Sequence, residues 1–494
     1  MLRAGTAVAR LALALAPHAR QRLIYAGPGN NGGDGLVAAR LLHEAGHGVV
    51  VELHADAARL PGDAAWALQA AVAAGVEVRL PSSELVNDSP ELVIDALLGL
   101  GNSRAIEGDL AQAVLRINTC AAPVLAVDIP SGLAADTGTP LGAAVVRADH
   151  TLSLLTLKPG LFTAAGRDHA GQVWLDDLGV LAPSDAACAT LTGRHDMQAA
   201  WSLRRHASHK GSYGDVAVVG GAAGMAGAAW LAAQAALAAG AGRVYCSLLD
   251  ANASGMPANR PELMTRTAWW REPPAVLAAS TVVCGCGGGD AVRAALPTLL
   301  HHAARLVLDA DALNAMAGDS DLRRLLTARS ARGQPTVITP HPLEAARLLG
   351  CEASVVQSHR LHAAQQLAQE LACVVVLKGS GTVIAAPGQR PTINYSGNGS
   401  LASAGTGDVL AGWIGGSWSA LHGAGLAQAE WQAARRATLA SVALHGHAAD
   451  VHARQCNARL PLRALDLIEA MRQALRRDMR QSVHEPMPEP MPER

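Results

Sequence analysis

Aromatic side chains are scarce in this sequence: its 494 residues include one Phe and four Tyr, and aromatics make up 3% of the chain. That scarcity leaves little with which to stack unpaired RNA bases. An excess of either charge is also missing, since 40 Lys and Arg stand against 41 Asp and Glu for a formal net charge of -1. A nucleic-acid partner is therefore not expected, because the broad basic footprint it needs is absent and any polyanion must be met locally. The eight cysteines follow no regular spacing, which excludes a disulfide framework and suits a reducing, cytoplasmic compartment. Long hydrophobic runs are lacking too. Met1 to Ala16 carries Arg3 and Arg10 and runs straight on to a strand-like Leu23-Ile-Tyr with no A-x-A site, so it reads as an amphipathic helix and not a signal peptide. Ala226 to Ala241 is mostly Ala and Gly with a Gln inside, too weakly apolar for a membrane span, and no membrane partner is expected.

What is present is a globular α/β pattern. Half the residues are hydrophobic and 16% are charged, ample for packed interiors. At roughly 100–200 residues per domain the chain predicts two or three domains. Fifty glycines point to tight turns and a small-residue interior. Nine short β-rich runs alternate with Ala/Leu-rich helical ones: Leu23 to Ala26, Val49 to Leu53, Leu92 to Asp95, Val124 to Asp128, Val216 to Val219, Thr281 to Cys284, Arg305 to Asp309, Thr336 to Thr339 and Val374 to Lys378. Each meets a Gly- or Pro-bearing turn, the pattern of a mostly parallel sheet covered on both faces. The pattern pauses between Ala182 and Ser212, which predicts domains at 1–195 and 196–480. Residues 481–494 repeat Glu-Pro-Met-Pro and read as a disordered tail.

In the first half, Gly27-Pro-Gly29-Asn30-Asn31-Gly32-Gly33-Asp34-Gly35 follows a strand and opens a helix expected at Leu36 to Ala45, with Glu52 about 20 residues on. Glycines there let backbone N–H groups approach a pyrophosphate at a helix start. The amides and the carboxylate suggest more than phosphate binding. His43-Glu44-Ala-Gly46-His47 matches H-E-x-x-H, but Gly46 stands where a helix C-cap is expected and should turn His47 away from His43. Asp95, Asp128 and Ser131 close two strands, so with Asn31 they should converge at the carboxyl edge of a parallel sheet, an oxygen-rich set suited to a hard cation.

These motifs, together with Asp95-Ala-Leu-Leu-Gly, Val127-Asp-Ile-Pro-Ser-Gly-Leu, Asp136-Thr-Gly and Leu157-Lys158-Pro-Gly-Leu161, resemble the NAD(P)H-hydrate epimerase domain. The resemblance implies a Rossmann-like open sheet. It implies substrate contacts at Asn30, Asn31, Gly32, Gly33, Asp34 and Asp128, with Asp128 handling the proton, and potassium held by Asn31, Asp95 and Ser131. Leu100 and Ala134 stand where the family usually has Thr and Asp, and the first helix is expected to be short at its start.

In the second half, Cys284 and Cys286 lie where a buried strand runs into Gly287-Gly-Gly289, and no second ligand pair of suitable spacing follows, so metal binding is not expected there. Gly405-Thr-Gly407-Asp408 precedes a helix expected at Val409 to Ile414. Its N–H groups can stabilise a transferring phosphoryl group while Asp408 accepts a proton; the alternative is an Asp N-cap. With His209-Lys210-Gly211, Asp309-Ala-Asp311, Thr339-Pro-His341 and Lys378-Gly379-Ser380-Gly381-Thr382, this half resembles the ribokinase-like ADP/ATP-dependent NAD(P)H-hydrate dehydratase. The resemblance implies a doubly wound α/β domain and adenine-nucleotide contacts at Lys378, Gly379, Ser380, Gly381, Thr382 and Gly407, with Mg²⁺ accompanying ADP or ATP. It implies substrate contacts at Ala228, Gly289 and His341, and Asp408 as the base. Cys286 stands where the family usually has Pro, and Leu343 where it has Gly. The whole then reads as a two-domain repair enzyme acting on NAD(P)HX, expected to be a homo-oligomer. The alternative is a ribokinase-like small-molecule kinase fused to a non-catalytic binding domain.

Overall fold

The computed structural model describes residues 1–81, 89–180, 183, 186–201, 204–250, 252–253, 260–423, 430–456 and 460–484. The chain divides into two compact units, Met1–Ala187 and Cys188–Arg494. The division falls before the expected residue 195, for a reason given below.

The first unit is built on seven parallel strands: β1 (Gln21–Ala26), β2 (Gly48–Leu53), β3 (Glu77–Arg79), β4 (Leu92–Ala96), β5 (Val124–Val127), β6 (His150–Leu154) and β7 (Gln172–Asp176), in the order β3-β2-β1-β4-β5-β6-β7. The strand order reverses between β1 and β4, so a crevice opens beyond their carboxyl ends. The amphipathic helix Leu2–Leu15 turns Ala4, Ala7, Val8 and Ala12 into the core. The next helix spans Asn30–Glu44, not Leu36 to Ala45: it begins inside the glycine motif, whose Asn31, Gly32, Gly33 and Asp34 form its first turns. Gly35 allows this, because a Cβ there would lie 2.6 Å from the Ala96 methyl on β4.

The second unit carries ten strands: β8 (Thr190–Leu191), β9 (Asp215–Gly220), β10 (Arg243–Leu248), β11 (Met264–Thr265), β12 (Thr281–Cys284), β13 (Arg305–Leu308), β14 (Thr336–Ile338), β15 (Val374–Leu377), β16 (Val383–Ala385) and β17 (Thr392–Ile393). Their order is β11-β10-β9-β12-β13-β14-β15-β16-β17-β8. β9 to β15 run parallel, and only β16 is antiparallel to its neighbours. The order reverses between β9 and β12. Because β8 pairs with β17, residues 190–191 belong to this sheet, which puts the division ahead of residue 195. The strands β12 to β15 are wholly buried, as expected of parallel strands covered on both faces. The covering helices include Ala226–Ala238, Thr406–Gly423 and Glu430–Gln455. The final helix, Ala464–His484, extends past Gln481, so residues 481–484 are helical and not part of the expected tail; residues 485–494 lie outside the described residues. Among the described residues no helix is long and apolar enough to cross a membrane.

Candidate active sites

At the β1/β4 edge of the first unit lies a pocket of about 730 Å³, lined in part by Asn30, Asn31, Asp34, Leu98, Gly99 and Asp128. The chain turns into it at Gly27, where a Cβ would lie 1.8 Å from the Leu97 carbonyl oxygen. Gly32 and Gly33 are not on the pocket wall: Gly32 packs on the Gly27 backbone and Gly33 on Met1 and Ala64. Burial pushes the Asp34 carboxyl up to about 7, with the Asp128 charge adding to the rise.

Asp128 follows β5 with a left-handed backbone, φ +70°, a strained state that concentrates at functional sites. Its Oδ1 accepts hydrogen bonds from the Lys158 ammonium and from Leu154 N at 3.3 Å. Lys158 was legible as part of Leu157-Lys158-Pro-Gly-Leu161, yet its partner was not.

Behind the wall, Asp95 and Ser131 are buried. Ser131 donates from Oγ to Asp95 Oδ1 at 2.7 Å and from its backbone N to Oδ2 at 2.9 Å, and Leu97 N donates to Oδ1 at 3.1 Å. Burial still pushes Asp95 up to about 6. The Asn31 side chain lies beside Gly99, and its buried Nδ2 has no hydrogen-bond partner among the described residues. The four expected residues therefore do gather at one sheet edge.

Glu52, the acidic residue a dinucleotide fingerprint would aim at a ribose, is otherwise engaged. It is buried against His54 Nε2 at 2.7 Å and bonded by Arg116. Although burial opposes it, those bonds hold its carboxyl below the ordinary range and leave it committed to them instead of to a ribose. The H-E-x-x-H helix ends at Glu44, as Gly46 with φ +85° requires. His43 and His47 both line a cleft with Glu77, but only His43 is on the helix, and among the described residues the three form no metal-ligand group.

In the second unit the carboxyl ends of β12, β13, β14 and β15 present Cys286, Asp309, Thr339 and Lys378. Asp309 is 2% exposed. Its Oδ1 accepts from Lys378 Nζ and from Thr339 Oγ1, each at 2.7 Å. Burial alone would lower the Lys378 pKa, but Asp309 and Glu344 outweigh it and the net direction is upward. The helix carrying Asp408 starts at Thr406, two residues into the Gly405 motif, so Asp408 lies inside the first turn and is not the N-cap. A Cβ on Gly407 would come within 3.4 Å of Lys378 Nζ. Ligand atoms of Asp408, Asp309 and Cys286 all lie within 4.8 Å of one another. Burial, and then Asp309, raise Asp408 to about 6.

The remaining expected residues divide. Ala228 abuts the Gly287 turn, and Gly289 N donates to Asp311 Oδ2 at 2.8 Å. His341 caps the helix Pro342–Leu349: its Nδ1 accepts from Leu343 N and Glu344 N, and its Nε2 lies 3.2 Å from Glu344 Oε1. The loop from Lys378 to Thr382 is closed by Thr382 Oγ1 donating to Gly379 O at 3.1 Å and contains two left-handed glycines, Gly379 and Gly381, with Ser380 exposed between them. Sequence reasoning missed Arg360, a buried guanidinium donating to the carbonyls of Leu377 and Lys378 at 3.2 and 3.1 Å. No motif marks it.

Comparison with known proteins agrees with this division. Residues 1–160 match the family model for the YjeF-related protein N-terminus, and residues 216–472 that for NAD(P)H-hydrate dehydratase. The bifunctional NAD(P)H-hydrate repair enzyme Nnr of Escherichia coli (strain K12) is 38% identical over 480 residues, 96% of this chain and 88% of that one. Its counterpart in Coxiella burnetii is 36% identical over 484 residues, 96% of this chain and 93% of that one. The crystal structure of the ADP/ATP-dependent NAD(P)H-hydrate dehydratase from Bacillus subtilis, co-crystallised with ATP and Mg²⁺, is 27% identical and covers 59% of this chain and 99% of that one, with a TM-score of 0.47. A kinase fused to a non-catalytic module is not favoured, because the relatives span both units. The chain belongs to the family of bifunctional NAD(P)H-hydrate repair enzymes, with the epimerase half in its first unit and the dehydratase half in its second.

Proposed function

We propose that the second unit dehydrates NAD(P)HX by phosphorylating its hydroxyl, with Asp408 as the base, and that the first unit interconverts the two epimers at Asp128. The observation that carries the dehydratase mechanism is the convergence of Asp408, Asp309 and Lys378 at one sheet edge. Hydroxide is a poor leaving group, its conjugate acid having a pKa of about 15.7, whereas phosphate leaves as an anion with a relevant pKa of about 6. Asp408 takes the hydroxyl proton as that oxygen attacks the terminal phosphoryl of ADP or ATP. Lys378, held by Asp309, and the N–H groups opening the Thr406 helix meet the charge that develops on the phosphoryl oxygens. The P–O bond to the nucleotide breaks. The ring nitrogen then pushes out phosphate, which leaves with the C–O bond electrons, and loss of a proton from the adjacent ring carbon re-forms the ring double bond, so that NAD(P)H is restored. Mg²⁺ accompanying the nucleotide would supply further charge neutralisation, and the acidic surroundings of Lys378, with Asp309, Glu344 and Asp408, suit it. The loop from Lys378 to Thr382, braced by Arg360, together with Gly407 is the nucleotide side of this reading. Ala228, Gly289 and His341 are its substrate side.

In the first unit, Asp128 moves the proton at the epimerising centre while Lys158, bonded to Oδ1, holds its carboxylate in place. Asn30, Asn31 and Asp34 contact the substrate. Potassium held by Asn31, Asp95 and Ser131 would supply a fixed positive charge at the pocket's rear. The orphaned Asn31 amide supports that fit: rotated by half a turn it offers an oxygen where its nitrogen finds no acceptor. Eight free thiols suit a reducing, cytoplasmic setting. The deciding experiment incubates the full chain with each NADHX epimer, with and without ADP or ATP, and follows NADH absorbance. Recovery from both epimers only when nucleotide is present is expected. Nucleotide-independent recovery, or recovery from one epimer alone, overturns the scheme.

A further inference from the structure

Cys286 occupies an unusual place for a buried thiol. It is fully buried at the end of β12, in a turn that would ordinarily be inert packing. Its sequence neighbours offer no ligand pair, but the fold supplies one from elsewhere. Asp309 arrives from the end of β13 and Asp408 from the first turn of the Thr406 helix, and ligand atoms of all three lie within 4.8 Å of one another. The two oxygens of Asp309 are used differently. Oδ1 is saturated by Lys378 and Thr339 at 2.7 Å each. Among the described residues, Oδ2 accepts only from the Cys286 thiol, 4.0 Å away. That is a poor partner for a carboxylate oxygen on a residue that is 2% exposed, since sulfur donates weakly. The setting is also acidic, because the carboxyl groups of Asp309, Glu344 and Asp408 all act on the Lys378 ammonium.

We propose that Cys286, Asp309 Oδ2 and Asp408 form a site for a thiophilic divalent cation of the zinc class, and that such a cation shuts off the dehydratase by capturing its base. One thiolate and two carboxylates leave the fourth tetrahedral position open. Zinc–ligand bonds of about 2.0–2.3 Å ask the three atoms to close by roughly an ångström, a side-chain adjustment that leaves the Oδ1 bonds to Lys378 and Thr339 in place. On binding, the S–H bond breaks, sulfur keeps the electron pair for the metal and the proton goes to solvent. Magnesium, which prefers oxygen, gains nothing from the thiol, so the site discriminates between the two classes of ion. The inhibitory half of this proposal rests on Asp408 being the dehydratase base; the binding half does not.

The test therefore has two independent readouts on the full chain. The first titrates Cd²⁺ and follows the ultraviolet charge-transfer absorption of a cadmium–thiolate bond, comparing the native protein with Cys286→Ser and, as a control at an exposed thiol, Cys351→Ser. The expected result is one tight equivalent in the native and Cys351→Ser proteins that is missing in Cys286→Ser. The second measures inhibition of dehydration by Zn²⁺ at fixed Mg²⁺ and its reversal by chelator. Cys286→Ser should need at least the roughly 10–100-fold more Zn²⁺ that loss even of an outer-shell partner costs. Asp309→Asn, which keeps the shape of the site, should weaken the cadmium signal as well. A Cd²⁺ titration identical in the native protein and Cys286→Ser overturns the site. A clear signal without Zn²⁺ inhibition overturns the shut-off and points back at the role given to Asp408.

Discussion

Lys158 and Asp128 form a buried ion pair at the mouth of the first unit's pocket, their side chains only 6% and 12% exposed. The ammonium also donates to the Leu154 carbonyl at 2.7 Å, so two strands, β5 and β6, are clamped through one nitrogen. Breaking a buried pair from one side leaves a charge with no partner and typically costs about 3–5 kcal/mol. Lys158→Met should therefore abolish epimerisation and also lower the melting temperature of the first unit. Asp128→Asn, which leaves the charge on Lys158 but keeps the side-chain shape, should abolish epimerisation with a smaller loss of stability. Both should still convert the preferred epimer with ADP or ATP. Epimer interconversion at a near-native rate in either variant would remove the pair from the chemistry.

Potassium dependence offers a second check, because Asp95 is pushed up to about 6 by burial. A carboxyl group holds a cation far better ionised than protonated, so protonation of Asp95 below about pH 6 should weaken the site. The potassium concentration that half-saturates epimerisation should rise as pH falls from 7.5 to 5.5. Asp95→Ala should weaken potassium dependence at every pH. A half-saturating concentration independent of pH, or unchanged in Asp95→Ala, would dissociate Asp95 from the cation.

How far the sequence reveals these sites depends on where each contact comes from. Thr281–Cys284, buried on both faces, was readable as an apolar run, and so were β1, β2, β4, β5, β9, β13, β14 and β15, whereas β10 (Arg243–Leu248), which mixes Arg, Tyr and Ser with apolar residues, was not. The strands β6 and β7 were not: His150–Leu154 mixes His, Thr and Ser with Leu, and Gln172–Asp176 is a half-exposed edge, so neither presents the continuous apolar run of a central parallel strand. The two-residue β8 and β17 carry too little pattern to register at all. Within the sites, residues at strand ends were legible individually because turn chemistry marks them. Pairings were not. Asp309 and Lys378 are 69 positions apart, and they meet because β14 alone separates β13 from β15. Cys286 looked like packing because its acidic partners come from two other elements.

Asp408 allows a prediction in which function and stability move in opposite directions. Burial and the neighbouring Asp309 raise its pKa to about 6, above the ordinary 3.8, so the folded state holds this proton more tightly than the unfolded chain does. Its contribution to stability is thus present at low pH and is lost as pH rises through about 6. Above that pH the ionised carboxylate is a cost, which Asp408→Asn removes. The variant should melt no lower than the native protein at pH 7.5, and higher if the cost is appreciable, while dehydration falls by about 10²–10⁴-fold, the usual loss for a general base. In the native protein the dehydration rate should fall as pH drops below about 6. Near-native turnover in Asp408→Asn would return the residue to a purely structural role.

The last prediction concerns where the dehydratase can be cut free. The gap in the α/β pattern puts the start of the second domain at residue 196, which makes a fragment from about residue 198 the natural cut. The fold gives a reason to start earlier. β8 covers the edge of β17, with Thr190 Oγ1 3.0 Å from Thr392 Oγ1, and just beyond it Thr192 Oγ1 donates to Asn394 Oδ1 at 2.8 Å in a buried setting. The helix Arg194–Gln198 then packs on Glu430–Gln455 and buries Met197. A fragment from residue 198 loses all three features and exposes an unpaired strand edge, a template for aggregation, whereas one from residue 188 keeps them. Both should retain nucleotide-dependent dehydration, because Asp309 and Lys378 follow β13 and β15, which β16 still separates from β17, and Asp408 is carried by the Thr406 helix. The longer fragment should stay monodisperse and melt higher, by about 2–4 °C for each kcal/mol retained. Equal melting temperatures and equal solubility for the two fragments would show that β8 is dispensable; an inactive, well-folded longer fragment would overturn the independence of the second unit.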